Sequence, residues 1–300
     1  MKNAICRLAL LCLTTLSFAS SASAELIYGI ENDTSVVNLV TWDSASPETV
    51  NGGAISGLAA GEAILGIDFR PLTGQLYALA KSSTVGDNGR LYTIDPVTRV
   101  ATAVGPQFAS PLLGVRFGFD FNPSIDRIRV VSESDSNYVL NPITGAIQAT
   151  ATPLFYGPAD PNFGQNPNVV DSAYSNNVPN AGSTQLYGID TRLDILVTQA
   201  NSAGTLGTVG PLGTNVSATG GFDISGTSGI AYAAFQTASS AISGFYTINL
   251  ATGAATLVGE IDGGIVISAL TVAPAIPEPT TVALAGMALV AGLVVRRRTR

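Results

Sequence analysis

A pattern of about fifty residues that returns along most of the chain constrains its fold more than any other feature. It is visible in Gly66-Ile67-Asp68-Phe69, Gly118-Phe119-Asp120-Phe121, Val170-Asp171-Ser172 and Gly221-Phe222-Asp223-Ile224, whose aspartates are 52, 51 and 52 residues apart. A fifth copy, Ala269-Leu270-Thr271-Val272, follows 48 residues after Asp223 with Thr in the Asp place. The strand after each copy repeats too, at Tyr28, Tyr77, Tyr187 and Tyr232, with Arg129 taking that place in the third unit. A third register is the closing turn, at Asp43, Asp95, Asn141, Asn201 and Asn249. Asp and Asn bond their own backbone two residues on, and a following Gly accepts positive φ, so each mark predicts a hairpin.

All three registers count five. Each unit reads as four short strands with alternating apolar positions, in the second unit Ile64 to Phe69, Gln75 to Ala80, Arg90 to Asp95 and Val100 to Val104. A four-stranded sheet repeated about an axis is a propeller blade, so the expected fold is all-β, a five-bladed β-propeller. The ends support closure. The strand at Leu26 to Ile30 is the second of a unit whose first strand appears only at 265–273, and pairing the two locks the ring and removes open edges. The blades are expected at about 25–56 with 265–274, then 62–108, 112–156, 167–213 and 217–263. Two packed sandwiches would explain the strands but not the period.

Residues 1–24 read as a signal peptide, with Lys2 and Arg7, an apolar run Leu8 to Leu13, and Ala22-Ser23-Ala24 before the cut. The Sec translocon and a signal peptidase are the partners that implies. Both cysteines, Cys6 and Cys12, fall inside it, so no disulfide is expected in the oxidising space beyond. At the other end, a linker at 275–281 holds Pro277-Glu278-Pro279, an apolar segment covers 282–295, and Arg296, Arg297, Arg298 and Arg300 lie in the tail at 296–300. The segment is short for the about 20 residues that span a bilayer comfortably, but a terminal arginine cluster is what holds a transmembrane helix on the cytoplasmic side.

That order, Pro-Glu-Pro, short apolar helix, arginine cluster, resembles the PEP-CTERM sorting signal of Gram-negative bacteria. The resemblance implies a membrane-embedded exosortase as partner, transient anchoring in the inner membrane, and delivery to the cell surface or an exopolysaccharide matrix. The phrases G-F-D-F-N-P, D-R-I-R-V-V-S, A-Y-S-N-N-V and L-Y-G-I-D also resemble an uncharacterised secreted bacterial family, classed as a domain of unknown function. That likeness implies no activity and brings no catalytic residues.

Composition removes whole classes of chemistry. The chain has no histidine, which excludes Ser-His and Cys-His triads and takes away the commonest metal ligand. Between Glu25 and Ile276, 20 Asp plus Glu stand against 8 Lys plus Arg, a net of about −12 that repels nucleic acid. No metal or cofactor is expected.

The catalytic candidates are Asp68, Asp120, Asp171 and Asp223, which a propeller gathers around its axis, where carboxylates could hold a cation or serve as acid and base in glycoside cleavage. A role repeated in four blades, flanked by Ile67 and Phe69 and their equivalents, reads instead as an interblade tie, because catalysis needs a different environment for each carboxylate. The recurring tyrosines read as interblade packing, or as a sugar-stacking surface. Arg127 and Arg129 share a face in the third blade and are the ligand-binding candidates for an acidic or sugar ligand; the alternative is pairing with Asp126, Glu133 or Asp135 at a blade edge. Extra length at Tyr156 to Pro167 and Ser175 to Ser183 marks further loops of interest. The expected protein is an exported surface or matrix module that binds exopolysaccharide or surface proteins, with a glycan-cleaving enzyme as the alternative.

Overall fold

The computed structural model describes residues 24–32, 36–82, 88–262 and 264–274. The expected signal peptide up to Ser23, the Pro-Glu-Pro linker, the apolar helix and the arginine tail lie outside the described residues.

Five β-sheets make up the described chain. The first holds β1 (Leu26–Asn32), β2 (Val37–Asp43) and β3 (Ser46–Ala54). The second is β4 (Glu62–Phe69), β5 (Leu76–Ser82), β6 (Arg90–Ile94) and β7 (Ala101–Val104). The third is β8 (Phe117–Asn122), β9 (Arg127–Ser132), β10 (Asn137–Leu140) and β11 (Ile147–Thr150). The fourth gathers β12 (Phe155–Tyr156), β13 (Val169–Tyr174), β14 (Leu186–Asp190), β15 (Ile195–Gln199) and β16 (Thr205–Pro211), and the fifth β17 (Val216–Ile224), β18 (Ala231–Thr237), β19 (Ser240–Ile248) and β20 (Ala255–Glu260). The last strand, β21 (Ile267–Val272), returns to the first sheet, giving the order β21-β1-β2-β3.

Closure is therefore made by β1 and β21, antiparallel with Ile27 opposite Val272 and Ile30 opposite Ala269. This is the five-bladed ring that the repeat predicts. One detail differs: Phe155 and Tyr156, counted with the third blade in sequence, pair in parallel with β16 and extend the fourth sheet to five strands. The Tyr156 hydroxyl donates to Asp190 Oδ2 at 2.5 Å, which anchors the extra strand.

Each blade packs both faces against neighbours, so its inner strands are buried on both sides rather than alternately; β8 and β13 have no exposed residue at all. The apolar core is accordingly split into five clusters, one in each seam. Ile30 and Leu39 meet Ile67 and Phe69 between the first and second blades, and Tyr77 and Leu79 meet Phe119 and Phe121 between the second and third. Val131 faces Val169 and Val197, Ala173 and Ile189 face Phe222 and Phe235, and Phe245 and Ile261 face Trp42 and Leu270 in the remaining three. At about 1.5–3 kcal/mol for each fully buried large apolar side chain, the seams hold the ring together without covalent staples.

The closing turns are Asx turns in four blades. Asp95 Oδ1 accepts the N–H groups of Val97 and Thr98, Asn141 and Asn249 do the same for their own turns, and Asp43 Oδ1 accepts the N–H of Ala45. Asn201 does not. It opens a 3₁₀ turn, Asn201–Ala203, and its side chain accepts the Tyr174 hydroxyl at 2.5 Å instead.

Candidate functional site

The inner strands β4, β8, β13, β17 and β21 surround the axis, and the repeated Gly-x-Asp pattern turns out to govern how they meet. The N–H of Phe121 donates to Asp68 Oδ2 at 2.8 Å, from the next blade. In the same way the N–H of Tyr174 donates to Asp120 at 3.1 Å, and that of Val272 to Asp223 Oδ2 at 2.7 Å. Each carboxylate thus satisfies a backbone donor one blade further on, where no ladder partner is available.

The glycine two residues earlier serves the same seam. A Cβ on Gly66 would lie 2.4 Å from Phe119 Cβ, one on Gly118 2.7 Å from Ser172 N, and one on Gly221 2.2 Å from Leu270 N. Only a residue without a side chain lets consecutive inner strands come this close.

The fourth blade breaks the pattern, and here the sequence alignment is corrected. Asp68, Asp120 and Asp223 pair across their sheets with Tyr77, Arg129 and Tyr232, but the residue opposite Tyr187 is Ala173, not Asp171. Asp171 occupies the glycine position, two residues nearer the start of its strand. Asp68, Asp120 and Asp223 therefore form a group of three, each about 1% exposed, able to offer oxygens within 4.8 Å of one another. Asp171 stands apart from them.

Three carboxyls this close in a dry interior cannot all be charged. Burial, then the Asp223 charge, holds Asp68 well above the usual carboxylate range; burial, then Asp68 and Asp223, does the same for Asp120. Asp223 is pushed up less, to about 6, because burial is opposed by the Val272 and Ile224 N–H groups and the Thr271 hydroxyl. The trio therefore keeps at least one proton near neutral pH, shared as a set. These are also the described residues that could hold a metal, but most of their oxygens already serve neighbouring donors, and none opens to a cleft as hydrolysis would require.

Asp171 produces a different place. Its Oδ2 lies 3.4 Å from where a Gly220 side chain would begin, so the carboxyl packs against blade five. A cavity of about 20 Å³ lies at the end of the axis where the inner strands start, bordered by Asn32, Arg116, Phe117, Asp171, Gly220 and Ser268. That is room for one water-sized group. A smaller recess adjoins it, reached by Ser172, whose buried hydroxyl has no hydrogen-bond partner among the described residues. Asp171 is 7% exposed, and burial pushes its carboxyl up to about 7 against the lowering pull of Arg116.

Arg127 and Arg129 do not act together. Arg129 is buried and donates to Asn137 Oδ1 at 2.7 Å, to Ser202 Oγ at 3.2 Å and to the Tyr174 hydroxyl at 3.5 Å, tying the third blade to the fourth. Arg127 bonds Gln148 at 2.6 Å and the Asp126 carbonyl at 2.8 Å on the outside of its blade. The edge pairing expected for them is not formed either: the Asp126 carboxylate is held by Arg70 of the second blade, and Glu133 accepts the N–H groups of Val115 and Arg116.

The register tyrosines lie in the seams. Tyr28 meets Phe69 edge-on at 5.2 Å, Tyr77 meets Phe121 at 5.1 Å, and the Tyr77 hydroxyl donates to the Pro142 carbonyl at 3.2 Å. Sequence reasoning missed Glu25, which accepts hydrogen bonds from Ser225, Ser228 and Tyr232 and latches the start of β1 to blade five. It also missed Arg116 and Ser172. None of these repeats, so a search by period passes over them.

A family model described as Domain of unknown function (DUF4394) matches residues 38–271, and one described as PEP-CTERM protein-sorting motif matches residues 275–298. No curated protein matches the sequence. Among solved structures, the chain is similar to a hydrazine synthase of Kuenenia stuttgartiensis, at 15% identity and a TM-score of 0.39, over 72% of this chain and 53% of that one. It thus spans about half the length of that chain. It is also similar to a structural genomics protein of unknown function from Bacteroides thetaiotaomicron, at 12% identity and a TM-score of 0.48, over 85% of this chain and 68% of that one. A third likeness is to a protein from Lactobacillus plantarum, at 15% identity and a TM-score of 0.41, over 86% of this chain and 69% of that one.

Proposed function

The chain belongs to the DUF4394 family and carries an exosortase sorting motif, and for this exported propeller we propose a binding role without catalysis, with exopolysaccharide as the ligand. The Sec translocon and signal peptidase act on its N-terminal segment, and the tail holds it in the inner membrane until the exosortase acts.

One observation carries this reading: the inner carboxyls that could have been acid and base are bound to neighbouring blades, whereas Asp171 and the unpartnered Ser172 hydroxyl lie at the axial mouth. There an acceptor, Asp171, lies near the guanidinium of Arg116 beside the exposed aliphatic side chain of Val115. Mixed donors and acceptors next to an apolar edge suit a hydroxyl-bearing ring, which presents both chemistries at once. The mouth is narrow, so one sugar hydroxyl enters it and the rest of the chain rides over the rim.

The test is calorimetric titration of the protein with neutral and uronate-containing oligosaccharides, in parallel with assays for new reducing ends. Binding weakened at least several-fold by Asp171→Asn or Arg116→Ala, with no new reducing ends, is the expected result. Turnover abolished by Asp68→Asn or Asp120→Asn would establish the glycan-cleaving alternative instead.

A further inference from the structure

The direction of the inner strands gives the propeller two distinct ends. Because the same N–H to carboxylate tie recurs from β4 to β8, β8 to β13 and β17 to β21, these strands run the same way along the axis. All start at the mouth that holds Asp171 and finish at the opposite end. In antiparallel four-stranded blades, the turn from first to second strand and the turn from third to fourth both fall at that opposite end.

Both connections to the remaining chain are there as well. β21 finishes at Val272, the Ala273 N–H donates to the Leu26 carbonyl at 2.9 Å, and β1 begins beside it. The sorting motif begins at residue 275, directly after the last described residue, Pro274. Only residues 275–281 separate the blade from the apolar run at 282–295. Seven residues extend at most roughly 25 Å, about the span of one blade, so a chain anchored by that run has little freedom to turn its other end inward.

The turns at this end carry protruding aliphatic side chains. Val97 is 82% exposed, Ile143 66% and Ile125 58%, and Leu72 and Leu26 are also open. Val97 and Ile143 occupy tips of tight Asx turns, and Ile125 lies just before Asp126, which Arg70 neutralises.

We propose that, at this end of the propeller, the edge formed by the second and third blades is a membrane-facing surface, its turn tips Leu72, Val97, Ile125 and Ile143 resting in the headgroup region of the bilayer that holds the tail. The proposal rests on the tail acting as a membrane anchor. It leaves the mouth around Asp171 pointing away from the membrane, where a polymer can reach it. Aliphatic tips of this kind add weak interfacial affinity on their own and act together with the inserted segment, as two-signal anchoring does.

The experiment uses the mature chain from Glu25 to Arg300, which has no cysteine, reconstituted in phosphatidylethanolamine–phosphatidylglycerol vesicles. Single substitutions Val97→Cys and Ile143→Cys at the tail end, and Val115→Cys at the mouth, are labelled with a membrane-impermeant maleimide. Labelling at the two tail-end positions is expected to fall several-fold in vesicles relative to detergent, with Val115→Cys unchanged. Equal labelling at all three positions while the protein floats with the vesicles would overturn the membrane-facing surface and leave the anchor standing. Failure to float would overturn both. Protection that appears only in native membranes, and not in pure lipid, would assign the surface to a protein partner and overturn the lipid reading.

Discussion

The Thr271 hydroxyl lies 3.0 Å from Asp68 Oδ1 and 2.9 Å from Asp223 Oδ2, so one proton-bearing oxygen bridges two carboxyls of different blades. A hydroxyl has a single hydrogen to give. It donates to one carboxyl, and the other must carry a proton and donate to it. Burial raises both carboxyls, so the pair keeps that proton as a set. Thr271 belongs to the closing strand, so the clasp of the ring depends on that proton.

The first prediction is that the propeller loses stability as pH rises. Asp68, Asp120, Asp171 and Asp223 all have folded values raised above those of an unfolded chain, with Asp223 near 6 and Asp171 near 7. A raised carboxyl favours the folded state while protonated, and this contribution is lost as pH climbs through the folded value. Every tenfold gain in a carboxyl's proton affinity on folding is worth about 1.4 kcal/mol, and the four contributions do not simply add because the groups titrate together. Thermal melts should show the midpoint falling by roughly 5–10 °C between about pH 5 and about pH 8. A midpoint that rises over this interval would show that the cluster is not protonated.

The second separates the tie from the charge. Asp120→Asn keeps an oxygen for the Tyr174 N–H while removing a buried charge, so it should match or exceed the parent in melting temperature above about pH 7 and flatten the pH dependence. Asp223→Ala leaves the Val272 N–H and the Thr271 hydroxyl short of a partner and should cost about 2–4 kcal/mol in denaturant unfolding. Equal losses from the two substitutions would argue against a shared proton.

These contrasts also show what was legible beforehand. The blade count could be read because three of the five seams share one solution, glycine for close approach and aspartate for a backbone donor, and the other two keep its spacing. Closure followed from a first strand missing at one end and present at the other. The position of Asp171 was misread because Val-Asp-Ser imitates Gly-x-Asp-Phe by eye, and the long loop between β13 and β14 hides the offset. Aligning on Tyr174 as the counterpart of Phe69 and Phe121 would have exposed it, since all three follow the residue that faces the register position. Arg129 was misjudged for the same reason that makes it informative: a charged residue in a tyrosine place reads as a surface feature until its partners Asn137, Ser202 and Tyr174 are known.

The third prediction concerns that arginine. Its buried guanidinium donates to Asn137, Ser202 and Tyr174, so removing it strands acceptors of two blades. Arg129→Ala should destabilise the protein by about 3 kcal/mol, and Arg129→Lys should recover only part of this because an ammonium cannot span the same fork. Arg127→Ala, at a half-buried site on the outer part of the blade, should change stability by less than about 0.5 kcal/mol. Urea titrations of the three variants decide it.

The fourth tests why three inner strands carry glycine two residues before the aspartate. A methyl group on Gly221 would lie 2.2 Å from Leu270 N and 2.6 Å from the Ala269 carbonyl carbon, both backbone atoms of the closing strand, so nothing flexible can give way. Gly74, at φ 70° in an open turn, has nothing near its missing Cβ. Gly74→Ala therefore bears only the strain of a left-handed backbone, about 1 kcal/mol, and remains folded. Gly221→Ala must push β17 and β21 apart and break the Asp223 to Val272 tie with them, costing upwards of about 3 kcal/mol. The clearest readout is limited proteolysis: the Gly221→Ala chain should be cut at the closing strand first, between blades five and one, while Gly74→Ala resists like the parent. Early cleavage at another seam would mean that the ring does not open at its clasp.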